Sequence, residues 1–109
     1  MAWVLLILAG AFEIVWAVGL KYTDGFTKPL ASTVTIAGMV ISVWLLSLAL
    51  KTIPLGTGYA IWTGIGAVGT AVAGMILFGE SRAVIRLVCI AMIVAGIVGL
   101  KIFSDASAS

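Results

Sequence analysis

The chain has 109 residues, 63% of them hydrophobic and only 9% charged, with a formal net charge of +2. Average soluble domains carry about 45–50% apolar and about 25% charged residues, so this composition excludes a soluble domain and reads as an integral membrane protein. The few Lys and Arg lie between apolar runs, not in a basic patch, which excludes nucleic acid as a partner.

Four apolar segments follow one another, separated by short polar breaks. The first covers about residues 2–20 and reads AWVLLILAGAFEIVWAVGL. No basic stretch precedes it and it is long enough to span, so it is expected to stay as the first helix and not to be cleaved as a signal peptide. The break at residues 21–29 holds two lysines, an Asp-Gly turn signal and Pro29, which can open a helix. The second segment covers about 30–50, and a short break follows at 51–54. The third covers about 55–78 and is rich in glycine; the break after it carries Glu80, Arg82 and Arg86. The fourth covers about 85–103, and the polar tail SDASAS is expected to fray. Each segment is near the ~20 residues that cross a bilayer as a helix. The alternation of a barrel strand is absent. The fold expected is all-α: one domain over residues 1–109, with four transmembrane helices running up and down and both termini on one side.

Charge leaves the orientation open. Lys51 and Lys101 fall on one side, and Lys21, Lys28, Arg82 and Arg86 on the other. That bias is small for a rule that normally fixes topology, so single and dual insertion both fit. Four helices also leave little room for an enclosed path. A transporter this small would have to oligomerise, and two oppositely inserted copies would create the inverted symmetry that larger transporters build from repeats.

Glu13 sits inside the first segment. A carboxylate there costs a few kcal/mol on insertion scales, about 2.5–3.5 at a helix centre, and such groups face a bundle interior or a wet cavity. Its helical neighbours are Ala9, Gly10, Trp16 and Ala17. The small residues clear space beside the carboxylate or admit another helix; Trp16 lies too deep for an interfacial anchor, a role that Trp3 fits. No Lys or Arg stands near the middle of any segment. Glu13 therefore reads as a group that exchanges a proton for a cation rather than as half of a fixed ion pair.

In the third segment Tyr59 and Trp62 share a face that continues to Gly66, Gly69 and Ala73. It is either a pocket wall or aromatic packing against lipid. Gly64 and Gly66 are a candidate hinge, or else a packing groove. In the second segment Ser42, near Gly38 and Met39, can bond across the bundle or to its own helix, and Ser47 has the same choice. In the fourth, Cys89, Met92, Ile93, Gly96 and Ile97 form a small-and-branched pattern suited to dimer packing. The lone Cys89 and the absence of His leave no conventional zinc or haem site, and neither metal nor cofactor is expected. A carboxylate with aromatic neighbours in low dielectric attracts a cation. A guanidinium suits it well, because its planar N–H fork matches the two oxygens.

Three stretches carry a resemblance: FEIVWAVGLKYTDGFTK, IPLGTGYAIWTGIGAVG and the ending GIVGLK. Together with the four-segment plan they resemble the small multidrug resistance family over essentially the whole chain, and most strongly its guanidinium-exporter subtype. The resemblance implies that Glu13 is the shared proton and substrate carboxylate and that Tyr59 and Trp62 are pocket aromatics. Gly10, Trp16, Met39, Ser42 and Lys101 match positions that characterise the subtype, with Ser42 and Trp62 orienting the glutamates by hydrogen bonds. It further implies a transporter, not an enzyme: an antiparallel homodimer of the inner membrane, moving two protons in for one cation out with one Glu13 from each subunit. The implied partners are guanidinium and small substituted guanidinium ions, protons, membrane lipids and an oppositely inserted copy. Cys89 departs from the glycine of many relatives, and Gly58 from the usual alanine. Competing readings are an exporter of quaternary ammonium or other lipophilic cationic drugs, and a non-transporting subunit whose Glu13 pairs with a basic residue of another protein. A proton-carrying rotor subunit would be a two-helix hairpin, against the four segments here.

Overall fold

The computed structural model describes residues 1–107 as four α-helices: α1 (Ala2–Tyr22), α2 (Pro29–Ala49), α3 (Leu55–Leu77) and α4 (Val84–Ser107). All four are long and apolar enough to cross a membrane. The ends differ from the sequence reading by one or two residues except at the last. There α4 passes residue 103 and carries the first part of the SDASAS tail to Ser107, where fraying was expected. The tail holds neither Gly nor Pro, so nothing in it stops a helix already under way. The tail's last two residues lie outside the described residues.

The breaks work by distinct local means. After α1, Thr23 is almost fully buried, and its hydroxyl donates to the Leu20 carbonyl at 2.7 Å and accepts from the Phe26 amide at 3.2 Å. Around it Asp24, Gly25 and Phe26 all have positive φ (49°, 71° and 64°), so the chain reverses through three left-handed residues in a row. Only Gly25 adopts that conformation without steric cost. Pro29 then starts α2 in the first turn, where its missing N–H removes no bond. After α3, Gly79 (φ 64°) lets the Glu80 amide return to the Gly74 carbonyl at 3.2 Å.

α1 is the central element. It packs on α2 along one face and on α3 along another, whereas the backbone of α4 lies beside α3 alone. Leu6 and Ala9 of α1, Leu45, Leu46 and Ala49 of α2, Ile53, and Ile61 of α3 form a sealed apolar cluster toward the start of α1. Small residues set the helix spacing. A Cβ at Gly10 would come within 2.6 Å of Ile65, and one at Gly69 would overlap Ile14. The result is a slab of 45 × 35 × 17 Å, thinner than two helix diameters of about 10–12 Å. None of the apolar window of α4 is buried within the chain.

This accounting for the first turn predicts that Thr23→Val lowers stability by about 1–2 kcal/mol, the usual consequence of removing a buried hydroxyl's partners. Thr23→Ser should retain most of it. Thermal unfolding of the purified protein in detergent measures both.

Candidate functional site

Glu13 points from the middle of α1 toward α3. Its carboxyl lies directly on Gly66: a Cβ there would overlap the carboxyl carbon and one oxygen. The buried Oε1 has no hydrogen-bond partner, and among the described residues no salt bridge reaches the group. The seat exists because Gly66 has no side chain, and because Gly69 on the same face receives Ile14 in the same way. α1 and α3 are thus pressed together on both sides of the carboxyl.

One turn before Glu13, three helices meet in a short hydrogen-bond chain. Trp62 Nε1 of α3 donates to Ser42 Oγ of α2 at 3.0 Å, and Ser42 Oγ donates to the Ala9 carbonyl of α1 at 2.6 Å. The resemblance implied that Ser42 and Trp62 bond the glutamates. Within this chain they bond each other and the α1 backbone. Ser42 is fully buried and has one proton to donate, so it takes the carbonyl beside it; an indole N–H only donates, so it takes the hydroxyl oxygen. The Ala9 carbonyl also receives the Glu13 backbone amide in the helical ladder. Ser42 and Trp62 therefore grip the peptide that anchors Glu13 rather than its carboxyl. Ser47, by contrast, bonds the Trp44 carbonyl of its own helix at 2.6 Å.

Other expected site residues are partly gathered and partly scattered. Tyr59 stacks on Trp62 with centroids 5.6 Å apart and a 52° tilt, and remains 54% exposed, extending the aromatic wall outward. The Trp16 Nε1 is buried and unpartnered, one turn from Glu13, with the Trp16 backbone close against Gly38. Gly10 opens no space toward a ligand, because the Ile65 side chain occupies it. Met39 lies along an outer groove of α2 with Val40, Val43 and Trp44. Lys101 is remote: its Nζ stands 4.5 Å over the Trp3 ring, ten residues or about 15 Å along α1 from Glu13.

The two candidate hinge glycines face different neighbours. Gly66 faces Glu13, and Gly64 faces α4, where a Cβ would come within 2.8 Å of Ile97 and 3.6 Å of Ile93. α3 is continuous through both. Within the expected dimer-packing set, Ile93 and Ile97 thus touch their own α3, whereas Cys89, Met92 and Gly96 remain exposed.

Sequence reasoning passed over several residues. Thr35 is fully buried with an unpartnered Oγ1, pressed on Gly19 of α1. Thr70 also has a buried, unpartnered hydroxyl. The Glu80 carboxyl lies on Gly74 and pairs with Arg86 at 2.8 Å. The sequence does hold a signal for part of this, since Gly66, Thr70 and Gly74 recur at one helical turn and so form one small face.

Residues 1–93 match the family profile described as Small Multidrug Resistance protein. The chain is 60% identical over 104 residues to a protein of Proteus vulgaris named Guanidinium exporter, covering 95% of this chain and 100% of that relative. Two further proteins of that name, from Salmonella typhimurium strain LT2 and Citrobacter freundii, are 59% and 55% identical over 102 residues, covering 94% of this chain and 97% of each relative. A profile match over most of the chain, near-full-length relatives and four spanning helices lead to one conclusion: the chain belongs to the small multidrug resistance family and is a multi-pass inner-membrane protein.

Proposed function

We propose that this chain is a proton-coupled antiporter that exports guanidinium and small substituted guanidinium ions. The observation that carries the reading is Glu13, a mid-membrane carboxylate with a buried, unpartnered oxygen and no basic partner among the described residues. The names of the close relatives supply the substrate class. A planar guanidinium fills the place of the missing counter-ion and satisfies both oxygens of a carboxylate. Trp62 and Tyr59 add a ring wall suited to a cation.

The working unit in this reading is an antiparallel homodimer of oppositely inserted copies. Each contributes one Glu13, and two protons enter for each cation exported. The uncovered outer face of α4, with Cys89, Met92 and Gly96, forms the contact between copies. Gly64 and Gly66 flank the point where α3 bends as access alternates, since each meets a different helix there.

Glu13→Gln should abolish proton-driven guanidinium uptake into vesicles reconstituted with the purified protein. Full activity in that variant refutes the mechanism. Proton and cation exclude each other from the carboxylate, so guanidinium should bind more weakly as pH falls. Titration calorimetry at several pH values reads this directly, and a pH-independent affinity would contradict competition. Gly66→Ala should push the carboxyl off its seat and weaken guanidinium binding about tenfold, in line with overpacking costs of about 1–3 kcal/mol.

A further inference from the structure

From Glu13 a line of oxygen chemistry runs along about two turns of α3, and the proposed site does not use its far members. Glu13 sits on Gly66, Thr70 stands one turn further on, and Glu80 sits on Gly74 a turn beyond that. Successive members of this face are about 6 Å apart along the axis. The far part opens as a cleft of about 220 Å³ lined by Lys21, Thr70, Gly74, Phe78, Glu80 and Arg86. The opposite direction from Glu13 is closed, because the Ser42–Trp62 chain and the apolar cluster fill it. The cleft lies on the α3 face that continues from the seat of Glu13 toward the loop after the helix.

From this placement we infer that Glu80 collects protons for Glu13 and that Thr70 positions the water joining them. The inference rests on the antiport reading of Glu13. A proton from bulk water adds to the Glu80 carboxylate. The resulting acid passes it to a water in the cleft, the Thr70 hydroxyl orients that water or its neighbour, and the proton ends on the Glu13 carboxylate. Glu80 returns to its charged form and Glu13 becomes neutral, with no other bond changed. The Thr70 hydroxyl is buried without a protein partner on a residue that lines the cleft, and a hydroxyl can both donate and accept once a water reaches it. A gap of one helical turn is the span that one bridging water closes.

The mouth of the cleft carries charged side chains that oppose entry of an organic cation. Glu80 faces Arg86 of α4 at 2.8 Å, and Lys21 of α1 lies over the Phe78 ring at 5.0 Å. Arg82, in the connecting loop, is turned to the Met75 carbonyl. With two cations and one carboxylate lining the cleft, charge opposes both cations, and what separates them is size: a proton passes along water, whereas guanidinium must enter whole.

The test separates the proton leg from the transport cycle. Purified wild type, Glu80→Gln, Thr70→Val and Thr70→Ser are reconstituted, with Glu13→Gln as the inactive control. Two rates are read: exchange of labelled for unlabelled guanidinium with no pH gradient, and uptake driven by a pH gradient. Glu80→Gln should keep exchange within about twofold and lose driven uptake about tenfold, the lower range for a positioned proton-transfer group. The loss should shrink as the proton concentration is raised. Thr70→Val should show the same split more weakly, and Thr70→Ser should restore it. Loss of both rates in Glu80→Gln and Thr70→Val marks a structural role and overturns the inference, as does an unchanged driven rate. Wild type that moves no guanidinium in either assay overturns the antiport reading itself.

Discussion

A carboxyl group held between two helices in hydrocarbon is the constraint on which the α1–α3 pairing depends. Glu13 can occupy that place only because Gly66 offers bare backbone. Bare backbone at one point obliges close approach at the next, and Gly69 with Ile14 and Gly10 with Ile65 supply it. In a bilayer, helix association gains nothing from hiding apolar surface that lipid covers equally well. Close van der Waals contact through small residues is what remains, and it is concentrated around the charged group.

The second constraint is polar satisfaction. Two donors of α2 and α3 near Glu13 are turned elsewhere: the Ser42 hydroxyl to the Ala9 carbonyl, and the Trp62 indole to Ser42. That arrangement joins three helices at a single backbone oxygen and leaves the carboxyl itself open to a partner from outside the chain. Stiff surroundings and an unspent acceptor are what a reversible cation site requires, since an internal counter-ion would have to be displaced in every cycle.

Much of this was legible in the residues. The four spans follow from apolar runs cut by Lys, Gly and Pro, and Pro29 marks the start of α2 to within a residue. Glu13 stands out because nothing else ionisable lies at that depth. What the sequence concealed was direction. Ser42 was visible as a hydroxyl able to cross the bundle, but its acceptor is a backbone carbonyl, which no side-chain pattern announces. The same holds for Gly64 and Gly66, two residues apart and so on different sides of the helix; spacing alone did not say which neighbour each meets. Gly10 looked like cleared space until Ile65, from another segment, was placed in it. The continuation of α4 beyond residue 103 was masked by polar composition, which lowers burial but does not end a helix.

The backbone of α4 runs beside α3, with side-chain contact to α1 such as Lys101 over Trp3, so the seat of Glu13 is built without it. α1, α2 and α3 form their mutual packing, including the seat of Glu13, from residues that precede α4 in the chain. The own-chain side of the charged group is thus enclosed without any residue of the last helix. The final span is left with an outer face that nothing in its own chain covers.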